Sequence, residues 1–182
     1  MKKFNEFIKE DLFKGDTRMK EYEKLLYNSF INFLKDEWSI EATVILKKKP
    51  HSNIFGSVTL SDATINKGRF ILYFDPKSSV LNVFKTLLHE MTHVKQISEG
   101  RLRPNEKWNS LLFDDDYEIS VRDYNKLLKS GNISKYKQLP WEVEAYDNMS
   151  REDIIKQYIN SDYLNKIKDK DINIEFIIDN IF

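Results

Sequence analysis

The stretch SSVLNVFKTLLHEMTHVKQISEG, residues 78–100, decides how the rest of the chain is read. Ser78 or Ser79 supplies a helix N-cap, Gly100 supplies a terminator, and no proline or glycine interrupts the run between them. Val83, Leu87, Met91 and Val94 recur at spacings of three and four, which places them on one stripe of a helix. His89 and His93, four apart, lie together on the opposite face. The pattern predicts a helix that packs on one side and lines a cleft with two imidazoles on the other.

Two imidazoles one helical turn apart can hold one metal ion, and zinc suits them. Glu90, the next residue, can reach a water in the open position of such an ion. Bound zinc lowers the pKa of that water toward about 7, and a carboxylate beside it serves as general base. A catalytic zinc takes three protein ligands. The chain holds three His; the remaining one, His51, precedes an expected strand and reads as a surface loop residue. No His follows His93, so the third ligand is expected to be a downstream carboxylate. The segment LPWEVEAYD, residues 139–147, starts a helix at Pro140 and carries Glu142 and Glu144. These two point in nearly opposite directions, so at most one meets the metal. Glu142 shares its face with Leu139, Ala145, Tyr146 and Met149 and is favoured, with Glu144 as the alternative. Glu144 and Asp147 are candidates for orienting a ligating histidine, and Tyr146, Tyr117 and Tyr124 for stabilising an oxyanion.

Outward from this segment, the chain reads as helix, three strands, helix. Asp16-Thr17 caps a helix over residues 17–37 whose apolar stripe is Met19, Tyr22, Leu25, Leu26, Phe30, Phe33 and Leu34. Strands are expected at 40–46, at 54–60 with Gly56 inside, and at 69–74, the last stopped by Asp75-Pro76. Residues 101–138 read as an insertion of loops around short apolar pieces, Leu111 to Phe113 and Tyr124 to Leu128. A helix is expected at 140–159, followed by helical packing to Phe182.

Composition narrows the classes. With 41% apolar and 32% charged residues the chain should fold as one soluble domain, residues 1–182 with a core at about 17–160. Lys plus Arg (29) equals Asp plus Glu (29), so no global field points to nucleic acid. Lys47 to Lys49 and the group Lys95, Arg101, Arg103 and Lys107 are local exceptions that read as solvated faces. The absence of cysteine excludes disulfides, cysteine–zinc ribbons and a thiol nucleophile. No secretory signal or apolar span is read, so no membrane partner is expected and the cytoplasm is the expected compartment.

LHEMTHVKQ, residues 88–96, followed by PWEVEA, residues 140–145, resembles the small gluzincin-type metallopeptidases of phages and mobile elements. More distantly it is similar to the SprT-like proteases and to the bacterial metallopeptidases that cleave phage repressors. The resemblance spans about residues 55–150, and the paired motif is far more specific than either half. It implies an α+β, zincin-like fold of minimal gluzincin type: an N-terminal helix, a short three-stranded sheet, the HExxH helix, a glutamate-bearing helix and C-terminal helices. It implies that Glu142, opening a Glu-x-x-Ala pattern closed by Ala145, is a metal ligand, and that strand Arg69 to Phe74 borders the cleft and pairs with an extended substrate. The chain departs from these relatives in lacking a helix-turn-helix region and a cysteine ribbon, so no substrate carries over. The expectation is a zinc metalloendopeptidase acting on a protein or peptide, with Zn2+ on His89, His93 and Glu142 (or Glu144) and Glu90 as base. A non-catalytic or nucleic-acid-associated zincin-like binding module is the alternative.

Overall fold

The computed structural model describes residues 17–48, 56–58, 68–74 and 78–168. Helix α1 (Thr17–Glu37) is followed by β1 (Thr43–Lys48), β2 (Gly56–Val58) and β3 (Arg69–Phe74), then by helix α2 (Val80–Ser98). A second set of strands, β4 (Leu102–Pro104), β5 (Ser110–Phe113) and β6 (Tyr117–Ser120), leads into α3 (Val121–Lys129) and α4 (Ile133–Tyr136). Helices α5 (Pro140–Met149), α6 (Glu152–Ile159) and α7 (Asp162–Lys168) close the described chain. The class is α+β. The Asp16 cap, His51 and the tail beyond Lys168 fall outside the described residues.

Local chemistry sets α2. The Ser79 hydroxyl accepts the Asn82 amide at 3.3 Å, which satisfies one of the free donors of the first turn. At the other end Gly100 takes a φ of 72°, and the Arg101 amide turns back to the Gln96 carbonyl at 2.9 Å. The same device ends α1. Ser39 has a φ of 52°, and the Ile40 amide reaches the Lys35 carbonyl at 2.8 Å. Ile40 and Ala42 are buried by this reversal rather than by strand pairing, and β1 begins at Thr43 instead of at the expected residue 40.

The first sheet has the order β1-β3-β2, with β1 parallel to β3 (Thr43 opposite Arg69) and β2 antiparallel to it (Gly56 opposite Phe74). Strand β3 is therefore interior. It pairs with β1 along its whole length and with β2 over Leu72 to Phe74, so over those three residues both edges are taken and the substrate pairing that the resemblance implied has no free edge there. Its Phe70, Leu72 and Phe74 join the core under α1 and α2, where the Phe30 ring lies 4.5 Å from Phe84 and 5.0 Å from Tyr158.

Residues 102–120 form a second antiparallel sheet, β4-β5-β6, rather than loops. Its strands are three or four residues long, too short for an alternating pattern to register in the sequence. The Asn105 side chain closes the first hairpin by accepting the Asn109 amide at 3.1 Å, and Asp114 and Asp115, with φ of 50° and 65°, turn the second. The helix expected over 140–159 is two helices. The chain breaks after Met149, where the Ser150 hydroxyl donates to the Asp147 carbonyl at 2.6 Å, and Ile154, Ile155 and Tyr158 then turn into the core.

The surroundings of α2 also differ from the expectation. Val83, Leu87, Met91 and Val94 are buried as one stripe, but Thr86, Glu90, Thr92, His93 and Gln96 are buried too, because α5 covers the histidine face. Fully buried Ala145 brings the two helices close, and Asn148 donates to the Thr92 hydroxyl at 3.2 Å across the contact. Among the described residues no helix is long and apolar enough to cross a membrane.

The Phe30 site is sealed by aromatic rings with little freedom to collapse. Phe30→Ala is expected to lower stability by about 3–5 kcal/mol. Urea unfolding should read this as a lower midpoint at unchanged slope.

Candidate metal centre

His89 and His93 stand on successive turns of α2, and Glu142 is in the first turn of α5, where the positive end of the helix dipole favours a carboxylate. Their donor atoms converge. His89 Nε2 lies 3.3 Å from His93 Nε2 and 3.4 Å from Glu142 Oε2, and His93 Nε2 lies 3.4 Å from Glu142 Oε1. A tetrahedral ion with bonds of about 2.0–2.1 Å separates its ligand atoms by about 3.3–3.4 Å. Each contact has the length expected between neighbouring ligands of such an ion, with one carboxylate oxygen facing each imidazole, and the group could hold a metal.

The hydrogen bonds around the triangle point the same way. His93 Nδ1 meets Gln96 Oε1 at 2.9 Å, while Gln96 Nε2 donates to the Trp141 carbonyl at 3.0 Å. The second bond fixes the amide orientation, so Gln96 presents an acceptor, Nδ1 carries the proton, and Nε2 of His93 is left with its lone pair. Burial, only partly offset by Glu142, holds the His93 pKa below its ordinary value, so the neutral, metal-binding form prevails at neutral pH. On the carboxylate, Tyr136 donates its hydroxyl to Oε1 at 2.5 Å. Burial pushes the Glu142 carboxyl up, but His89, His93 and Tyr136 together outweigh it and keep it ionised.

Two atoms are left over. His89 Nδ1 and Glu142 Oε2 are buried and have no hydrogen-bond partner among the described residues. Glu142 is only 2% exposed, and a buried carboxylate oxygen without a donor is costly. A cation between the three donors would remove that cost at Oε2.

Glu90 is 4% exposed, and its charge helps to raise the pKa of both Tyr136 and Tyr146, which places it electrostatically in the same pocket. Glu144 is elsewhere. It takes two bonds from Arg101, at 3.0 and 2.8 Å, and the same guanidinium grips Asp114 at 2.7 and 2.8 Å. Asp147 is exposed, so neither acid orients a histidine through any described contact. Gln96 takes that role at His93. Its position three residues after His93 is a helical-spacing signal that sequence reasoning passed over.

The tyrosines divide as follows. Tyr146 lies edge-on to the His89 ring at 4.7 Å, with the Lys137 ammonium 4.5 Å from the Tyr146 ring centre. Tyr117 and Tyr124 pack on Trp141 at 5.8 and 6.0 Å. Tyr136, which reaches Glu142, carried no signal in the sequence, since it sits on a separate four-residue helix. The basic stretch after the histidines is mostly neutralised: Arg101 by Asp114 and Glu144, Arg103 by Asp115, and Lys95 faces Glu99 at 3.9 Å.

Comparisons of the chain with protein-family models, with curated proteins and with solved structures find no match.

Gln96→Ala removes the acceptor at His93 while sparing all three donors. Metal affinity is expected to fall by about 10–100-fold. Competition against a chromophoric chelator measures it, with circular dichroism of the metal-free protein as the check on folding.

Proposed function

We propose that the chain is a zinc-dependent metallopeptidase of gluzincin type, with a zincin-like fold, that hydrolyses peptide bonds in a protein or peptide. The observation that carries the reading is the convergence of His89 Nε2, His93 Nε2 and the Glu142 carboxylate, whose two oxygens each lie 3.4 Å from one imidazole, with buried Glu90 on the same turn of α2. Two nitrogens and one carboxylate oxygen, with no cysteine in the chain, form the donor set of a catalytic rather than a closed structural zinc site.

When bound, zinc supplies a Lewis acid for a substrate carbonyl and acidifies a water toward neutral pH. The chain's own groups do the remaining work. His89, His93 and Glu142 hold the ion, and Gln96 keeps His93 in the ligating tautomer. Glu90 takes the proton of the attacking water and returns it to the leaving amine. Burial, reinforced by Glu142 and Glu90, pushes the Tyr146 phenol up, so it stays a hydrogen-bond donor beside His89 and is the best-placed described partner for an oxyanion. With β3 paired on both edges over Leu72 to Phe74, an extended substrate would pair with β2, the outer strand among the described residues, which packs near α2.

Glu90→Gln keeps the shape of the pocket and removes the base. The expected outcome is one zinc per chain in both proteins, with cleavage of a mixed fluorogenic peptide library reduced by about 10²–10⁴-fold in the variant. Equal turnover by the two proteins would sink the assignment. Zinc binding without turnover in the wild type would favour a non-catalytic metal module.

A further inference from the structure

We infer that Tyr136 is a positioning residue that makes Glu142 a one-oxygen ligand, an inference that rests on the metal centre proposed above. The Tyr136 hydroxyl donates to Glu142 Oε1 at 2.5 Å, within the range of a charge-assisted bond from a hydroxyl to a carboxylate. Oε2 is the buried atom without a hydrogen-bond partner among the described residues; it lies 3.4 Å from His89 Nε2, and Oε1 lies 3.4 Å from His93 Nε2. A carboxylate with both oxygens free can chelate an ion. With Oε1 engaged by a proton donor, Oε2 is the oxygen that Glu142 offers. The protein then contributes three ligand atoms and leaves a coordination position for water.

Tyr136 is well suited to this. Its ring is partly buried against the core, and its hydroxyl is turned to the Glu142 carboxylate. Tyr124 on α3 lies within hydrogen-bonding reach of Tyr136 and packs on Trp141. Tyr136 acts through Glu142 on the ion and need not touch the substrate.

The test compares wild type, Tyr136→Phe and Tyr124→Phe in the full chain, loaded with zinc for affinity and with Co2+ for visible absorption. Tyr136→Phe keeps the ring and removes only the donor. The expected result is a loss of about 10–100-fold in zinc affinity, together with weaker Co2+ bands, the mark of a higher coordination number once the second oxygen is released. Tyr124→Phe, which leaves the Tyr136 donor in place, should lose less than Tyr136→Phe in both. Unchanged affinity and an unchanged Co2+ spectrum in Tyr136→Phe would overturn the inference. So would a Tyr136→Phe protein that fails to fold without metal, since that assigns the residue to stability. A wild type that binds neither ion removes the metal reading itself, an outcome distinct from either of these.

Discussion

Gln96 is fully buried between α2 and α5, and its amide is used at both ends. The NH2 group donates to the Trp141 carbonyl, and the oxygen meets the Nδ1 of His93. One side chain thus ties the backbone of the glutamate-bearing helix to the ring of a histidine on its neighbour. Leaving such buried groups unpaired costs about 1–3 kcal/mol each, so the two helices meet in the one alignment that serves both ends. That alignment puts Glu142, the residue after Trp141, opposite His89 and His93. Fully buried Ala145 and the Asn148 to Thr92 bond extend the contact along the helices.

Trp141 carries the constraint outward. Its carbonyl receives Gln96, while its indole takes the rings of Phe113, Tyr117 and Tyr124. The second sheet and α3 are therefore assembled around the same residue that registers α5 on α2. A buried polar link at the centre and an aromatic cluster at the rim divide the work. The first selects the geometry, and the second supplies apolar burial that stabilises it.

Much of this frame is legible in the sequence, and the parts that are not have physical reasons. Ser79 and Gly100 bracket α2 because capping is local chemistry within three or four residues, and Arg69 to Phe74 reads as a strand because a buried central strand is a continuous apolar run. The four-residue spacing places His89 and His93 on one face, and the helical phase separates Glu142 from Glu144, which the structure turns toward Arg101. The second sheet leaves no periodic trace at three or four residues per strand. Tyr136 acts across a contact between elements, which one-dimensional spacing does not encode, whereas Gln96 stands at a helical spacing from His93 and is legible there. The helix break after Met149 is not legible because a Ser-Arg pair is compatible with continued helix; it is made by tightened backbone bonds of Ser150 and Arg151 together with the side-chain bond of Ser150. Burial of the histidine face was missed for a similar reason. Thr92 and Gln96 look like surface residues until a partner helix supplies their hydrogen bonds.

Arg101 grips Asp114 on the β5–β6 turn and Glu144 on α5 with one planar group, its face lying 5.0 Å from the ring of Phe113. A guanidinium is a rigid fork, so the hairpin and the helix are indexed to each other directly. The covalent path between them, residues 121–139, is thereby relieved of setting where α5 lies. Within it Tyr124, Leu127, Tyr136 and Leu139 are tied to the core, and Tyr136 is the one that also reaches the carboxylate.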